Sequence, residues 1–261
     1  ADPGPGPVRL ACNASLAAGS TLALTDKLDL SGKEPAPNAG DPYACAIRGP
    51  KDKPFATILV PANDCVLLAQ GEVTLSGYLR FVVGKKSREF DCCRDGEGHG
   101  SILCSLSNMT ISKGAVVSVE TIDNDVVINP GGFWTGKQII VNGSVSAALL
   151  PGQMTGVNGL LSSNRVHVGK SGAVVVTGIA STRGAAIQGD GGGMSVLIEG
   201  TVDCRRFTSG DAGGCIATGS GNLTLTDNGV VSAVDAYSTD TGIVMNGGHW
   251  LQIRGRVIAS N

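Results

Sequence analysis

Six segments of the chain repeat one pattern, in which alternating aliphatic residues meet a glycine and then resume: MTISKGAVVSV, IIVNGSVSA, VHVGKSGAVVV, VLIEGTVD, LTLTDNGVVSA and LQIRGRVIA. Their glycines, Gly114, Gly143, Gly172, Gly200, Gly229 and Gly255, are separated by 29, 29, 28, 29 and 26 residues. A second marker, a glycine before a short aliphatic stretch, gives Gly156, Gly184, Gly214 and Gly242, spaced 28, 30 and 28 apart. Two independent markers with one spacing define a structural repeat.

Within each repeat the apolar residues alternate with a period of two, as at Val166/Val168 and Leu223/Leu225, which is the pattern of half-buried strands and not of helices. Three short strands with Gly/Asn/Asp corners fill about 28 residues. A leucine-rich repeat is shorter and a propeller blade longer. The spacing therefore predicts an all-β, right-handed parallel β-helix (solenoid) of about 28 residues per coil, with handedness following the usual preference of parallel crossovers. Stacked coils bury a continuous aliphatic column, in which Val168, Ile198, Leu225 and Ile253 are expected at equivalent inward positions. The glycines are expected either to take positive φ or to allow close packing between coils.

The expected organisation is an N-terminal cap with irregular first coils over residues 1–70, then β-helix over residues 71–261, with a Cys-rich loop inserted at 84–104. Pro35, Pro37, Pro42, Pro50, Pro54 and Pro61 interrupt the pattern early. At the other end, HWLQIRGRVIASN begins a new coil with no polar cap after it, which predicts further coils downstream in a longer chain.

Composition narrows the setting. The 39 glycines, 16% charged residues and 4% aromatics describe a core of small aliphatic side chains. A net charge of −2 and the lack of a basic stripe argue against a nucleic-acid partner. No apolar run of the length needed to span a bilayer is present. The eight cysteines, Cys12, Cys45, Cys65, Cys92, Cys93, Cys104, Cys204 and Cys215, contain no CxxC pair and read as a disulfide set. Four sequons at Asn13, Asn108, Asn142 and Asn222 agree with N-glycosylation and an extracellular, secreted or cell-surface location.

Gly213-Gly214-Cys215-Ile216-Ala217, followed by Gly221-Asn222-Leu223-Thr224-Leu225-Thr226-Asp227-Asn228, resembles the GGAI and FxxN repeats of chlamydial polymorphic outer membrane proteins and related autotransporter passengers. The resemblance covers residues 105–261 and is architectural. Leu225 replaces the Phe of FxxN, and degenerate GGAI copies stand at Arg183-Gly184-Ala185-Ala186-Ile187 and Thr241-Gly242-Ile243. Those proteins are β-helical surface adhesins, so the resemblance implies an adhesive or structural module.

The charged insertion from Gly84 to Gly100 supplies the candidate binding residues Lys85, Lys86, Arg88, Asp95, Glu97 and His99, because long loops on a solenoid commonly form its binding face. In an extended conformation Asp95, Glu97 and His99 share one side, a possible divalent-metal set, but the flanking glycines do not fix that conformation. No metal or other cofactor is expected. Asp123/Asp125 and Asp235/Asp240 read as corner residues, and Arg205-Arg206 beside Asp203 as a polar outward loop next to a Cys204/Cys215 bridge. Trp134, Tyr237 and Trp250 could form a small aromatic patch. The three histidines, His99, His167 and His249, suggest no catalytic triad by spacing. No catalytic residue is assigned. The leading expectation is an adhesion, ligand-binding or spacer module for a protein or glycan on a cell surface or matrix. The alternative is a polysaccharide-active lyase or glycoside hydrolase, which would cluster carboxylates with a basic residue on one outward face.

Overall fold

Strands paired in parallel cannot be joined by a tight hairpin, so a repeat of short strands must return one full coil later to find its partner. The computed structural model describes residues 14–23, 28–29, 44–60, 67–69, 71–83, 100–105, 107–121, 130–148, 159–178, 180–181, 186–189, 194–206, 208–209, 214–218, 221–234, 243–245 and 250–260. Among these, all regular secondary structure is strand. The pairings form three long parallel ladders and one short ladder, Ala180–Ser181 with Thr208–Ser209. The chain is a parallel β-helix.

The first ladder runs through Cys45–Arg48, Val73–Ser76, Met109–Ile111, the distal halves of Pro130–Val141 and Leu161–Val168, then Met194–Ile198, Gly221–Leu225 and Trp250–Ile253. The second stacks Thr21–Ala23, Ala56–Val60, Tyr78–Val83, Val116–Thr121, Ser144–Ala148, Ala173–Thr177, Thr201–Arg205, Val230–Val234 and Arg256–Ser260. The third stacks Leu28–Asp29, Leu67–Ala69, Gly100–Ser105, the proximal halves of Pro130–Val141 and Leu161–Val168, then Ile187–Gly189, Ile216–Thr218 and Ile243–Met245. Strands from Thr21 onward thus join the same ladders as those beyond residue 71.

The expected column is present. Val168 pairs with Ile198, Ile198 with Leu225 and Leu225 with Ile253, and the same column continues backward through Val141, Ile111, Leu75 and Ile47. From Ile47 to Leu225 every member is fully buried, whereas Ile253 keeps the register at 47% exposure. The isoleucine of the GGAI-like marker makes a second column, Leu103–Phe133–Leu161–Ile187–Ile216–Ile243. Phe133 meets Phe81 of the second ladder edge to face at 5.6 Å, a favoured aromatic geometry.

The repeat glycines need one correction. The residue that occupies the coil position of Gly143, Gly172, Gly200, Gly229 and Gly255 is Ala115, since Val116, Ser144, Ala173, Thr201, Val230 and Arg256 are register partners. Gly114 is offset by one and takes a left-handed turn conformation, φ 77°. At Gly200 a side chain would instead collide with the Gly172 and Gly169 carbonyls of the preceding coil.

One element of the corner between the third and first ladders was not anticipated. Ser105, Thr135 and Ser163 are buried there. Each accepts the amide of the residue two positions on and donates to a carbonyl one coil earlier: Thr135 Oγ1 to Ser107 O at 2.7 Å and Lys137 N to Thr135 Oγ1 at 2.9 Å, with Ser105 and Ser163 doing the same. These hydroxyls satisfy backbone groups that the bend between Thr135 and Gln138 takes out of the ladder. Thr135→Val keeps the shape and orphans both groups, so we expect a loss of about 2–3 kcal/mol, measurable as a lowered denaturation midpoint, while Thr135→Ser should stay near wild type.

Candidate functional site: the outward surface of the first ladder

Alternation fixes which side chains leave the core. On the first ladder Ile139/Val141, Val166/Val168, Val196/Ile198 and Leu223/Leu225 point inward and are buried, so the residues between them form the outer surface. Two outward columns result. One is Gln138–Arg165–Ser195–Asn222–Trp250; the other is Thr110–Ile140–His167–Leu197–Thr224. Between them lies a shallow depression of about 380 Å3, lined by Gln138, Arg165, His167, Ser195, Leu197 and Asn222 together with Val166 and Met194. Arg165 and Asn222 are exposed at its edge. His167 Nε2 lies 2.8 Å from Glu199 Oε2, both half-buried.

Chemically the depression offers one guanidinium, two side-chain amides and a hydroxyl, with Leu197 as the outward apolar residue among them. That set suits the hydroxyl and amide groups of a sugar. The residues were legible one by one as the polar positions that open QIIVNG, RVHVGK, SVLIEG and NLTLTD, but nothing in one repeat says that four such positions meet. Coil register supplies that.

Of the three described sequons, those of Asn108 and Asn222 lie on this surface and that of Asn142 borders it. Asn108 precedes Met109, the partner of Ile139, and its carbonyl accepts the Val73 amide, which places it on the rung of Gln138. Asn222 stands on the same column. Asn142 sits where the ladder turns toward the second one, its amide bonded to Ile111 O. Asn13 lies outside the described residues, as do Lys85, Lys86, Arg88, Asp95, Glu97 and His99 and the pairs Asp123/Asp125 and Asp235/Asp240.

Of the cysteines, Cys12, Cys65, Cys92 and Cys93 lie outside the described residues, and Cys104 is described in its backbone alone, paired with Trp134. Cys45 is buried and disulfide-bonded. The expected Cys204–Cys215 bridge forms, with Cα atoms 5.7 Å apart. Both residues are fully buried: Cys204 occupies the inward column of the second ladder between Val176 and Ala233, and Cys215 replaces the alanine of the GGAI-like marker. The bridge staples two ladders inside one coil, in the regular part of the solenoid.

Of the two arginines that could have served a lyase, Arg205 is neutralised. Arg205 pairs with Asp203 through Nε at 2.9 Å and Nη2 at 2.7 Å. Asp203 raises the Arg205 pKa, first by hydrogen bonding and then by charge, the reverse of the shift an arginine base requires. Elsewhere on the second ladder Arg80 meets Glu120 at 3.4 Å and lies over the Phe55 ring. Trp134 belongs to the third ladder and Trp250 to the first, so these two do not form a common patch; Tyr237 and His249 are outside the described residues. Among the described residues no three His, Cys, Asp or Glu side chains group as metal ligands, and no helix is long and apolar enough to cross a membrane. No family model, curated protein or solved structure matches the chain.

Proposed function

We propose that this chain is an extracellular β-helical module of a secreted or cell-surface protein, a rigid element that binds a protein or glycan partner or spaces its neighbours. The observation that carries the reading is the dispersal of charge among the described residues. On the second ladder the outward carboxylates Glu120 and Asp203 stand three strands apart, about 14 Å at the usual strand spacing, and each already holds an arginine. Glycoside hydrolysis places its carboxyl pair within roughly 5–9.5 Å. Long ladders with separated ion pairs suit a contact surface better than a reaction centre. The Cys204–Cys215 bridge supports an oxidising compartment, and the sequons support passage through a glycosylating one.

The test is a glycan-array and cell-binding screen of the secreted chain, beside a polysaccharide-degradation assay with Ca²⁺ present. We expect saturable binding without product. Turnover of any polysaccharide would overturn the reading and direct mutagenesis to the acidic residues.

A further inference from the structure

An oligosaccharide attached to a solenoid is confined to whichever face carries its asparagine, and here the sequence positions of the sequons hide a common address. Asn108 and Asn222 stand on one outward column of the first ladder, four rungs apart, with Gln138, Arg165 and Ser195 between them. Four rungs span about 19 Å. The sequon hydroxyls Thr110 and Thr224 fall on the neighbouring column of the same surface. Asn142 closes the set at the edge of that ladder. The second ladder carries Ser118, Ser146, Val175, Asp203 and Ser232 outward, with no sequon asparagine on its described strands.

The depression adds an independent observation. Asn222 is exposed and forms part of its lining, and the rest of the lining includes the hydrogen-bonding groups Gln138, Arg165 and Ser195, the Glu199-bound imidazole of His167, and Val166, Met194 and Leu197. A sugar linked to Asn222 Nδ2 begins inside hydrogen-bonding reach of this surface and needs no diffusional encounter, so even weak contacts hold it by effective concentration. We propose that Asn108, Asn142 and Asn222 carry N-linked glycans that clothe the first face, and that the glycan on Asn222 occupies the depression between Asn222 and Gln138. The inference rests on the extracellular reading above. It deepens that reading by assigning the depression to the chain's own carbohydrate and leaving the second face bare for partners.

The experiment uses the full chain secreted from a eukaryotic host. Site-resolved mass spectrometry gives occupancy, and phenylglyoxal labelling reports the accessibility of Arg165, with Arg205 on the second ladder as internal control. Occupied Asn108, Asn142 and Asn222 are expected, with Arg165 labelled severalfold faster in Thr224→Ala and after enzymatic deglycosylation of folded wild type. Arg205 should be unchanged, and Asn108→Gln should leave Arg165 protected. Secreted protein with an empty Asn222 overturns the proposal, and so does an occupied Asn222 whose removal leaves the Arg165 rate unaltered. A chain that is not secreted and keeps Cys204 and Cys215 reduced overturns the extracellular reading itself, which separates the two failures.

Discussion

We expect Ile198→Asp to abolish secretion of folded protein. Ile198 has no solvent-exposed surface and is held between Val168 and Leu225 in adjacent coils. The substitution removes an aliphatic side chain worth about 2–3 kcal/mol of burial and puts in its place a carboxylate with no partner. The combined cost, upwards of about 4 kcal/mol, is large against a typical total of roughly 5–15 kcal/mol. A solenoid is stabilised by nearest-neighbour interfaces, so the damage falls on both interfaces of one coil. Secretion yield and thermal melting check the outcome, with Ile198→Val, at about 1 kcal/mol, as the size control. Normal yield with an unchanged melting profile would contradict the assigned register.

Gly200→Val should be comparably damaging for an unrelated reason. Its new Cβ would press into the Gly172 and Gly169 carbonyls, and the Gly172 carbonyl accepts the Thr201 amide at 3.0 Å. Relieving the clash therefore breaks a ladder bond. We expect a loss of about 3 kcal/mol, at the upper end for overpacking, seen in denaturant unfolding. Gly114→Asn is the contrast. Nothing lies within 4 Å of a Cβ placed there, and asparagine tolerates positive φ, so stability should barely move.

That contrast marks the limit of what the sequence discloses. The period of about 28 residues, the all-strand character of the described residues and the column through Val168, Ile198, Leu225 and Ile253 were legible because inward positions must be aliphatic in every coil. Gly114 looked equivalent to Gly143 since spacing counts letters and not hydrogen bonds; its turn is one residue out of phase. The hydroxyl staples at Ser105, Thr135 and Ser163 were missed because serine and threonine are ordinary outside a known corner. The depression could not be read at all from single repeats, as Gln138, Arg165, Ser195 and Asn222 become neighbours only through parallel stacking. Cys204 and Cys215 were paired correctly, and Asp203, Arg205 and Arg206 were read correctly as polar outward neighbours; what the sequence did not disclose is that strand alternation turns Cys204 fully inward while Asp203 and Arg205 stay out.

The position of that bridge has a mechanical consequence. It links residues 11 positions apart within a single coil and ties no coil to the next. A pull on the ends would peel the ladders coil by coil, and the covalent link would leave the sequence of breaks unaltered. It would shorten one step. The stretch it encloses stays out of the extended contour, withholding roughly 30 Å at about 3.5 Å per residue. In a single-molecule force trace, one interval between rupture events should be short by that length and recover it under reductant, marking where along the rod the unravelling has reached.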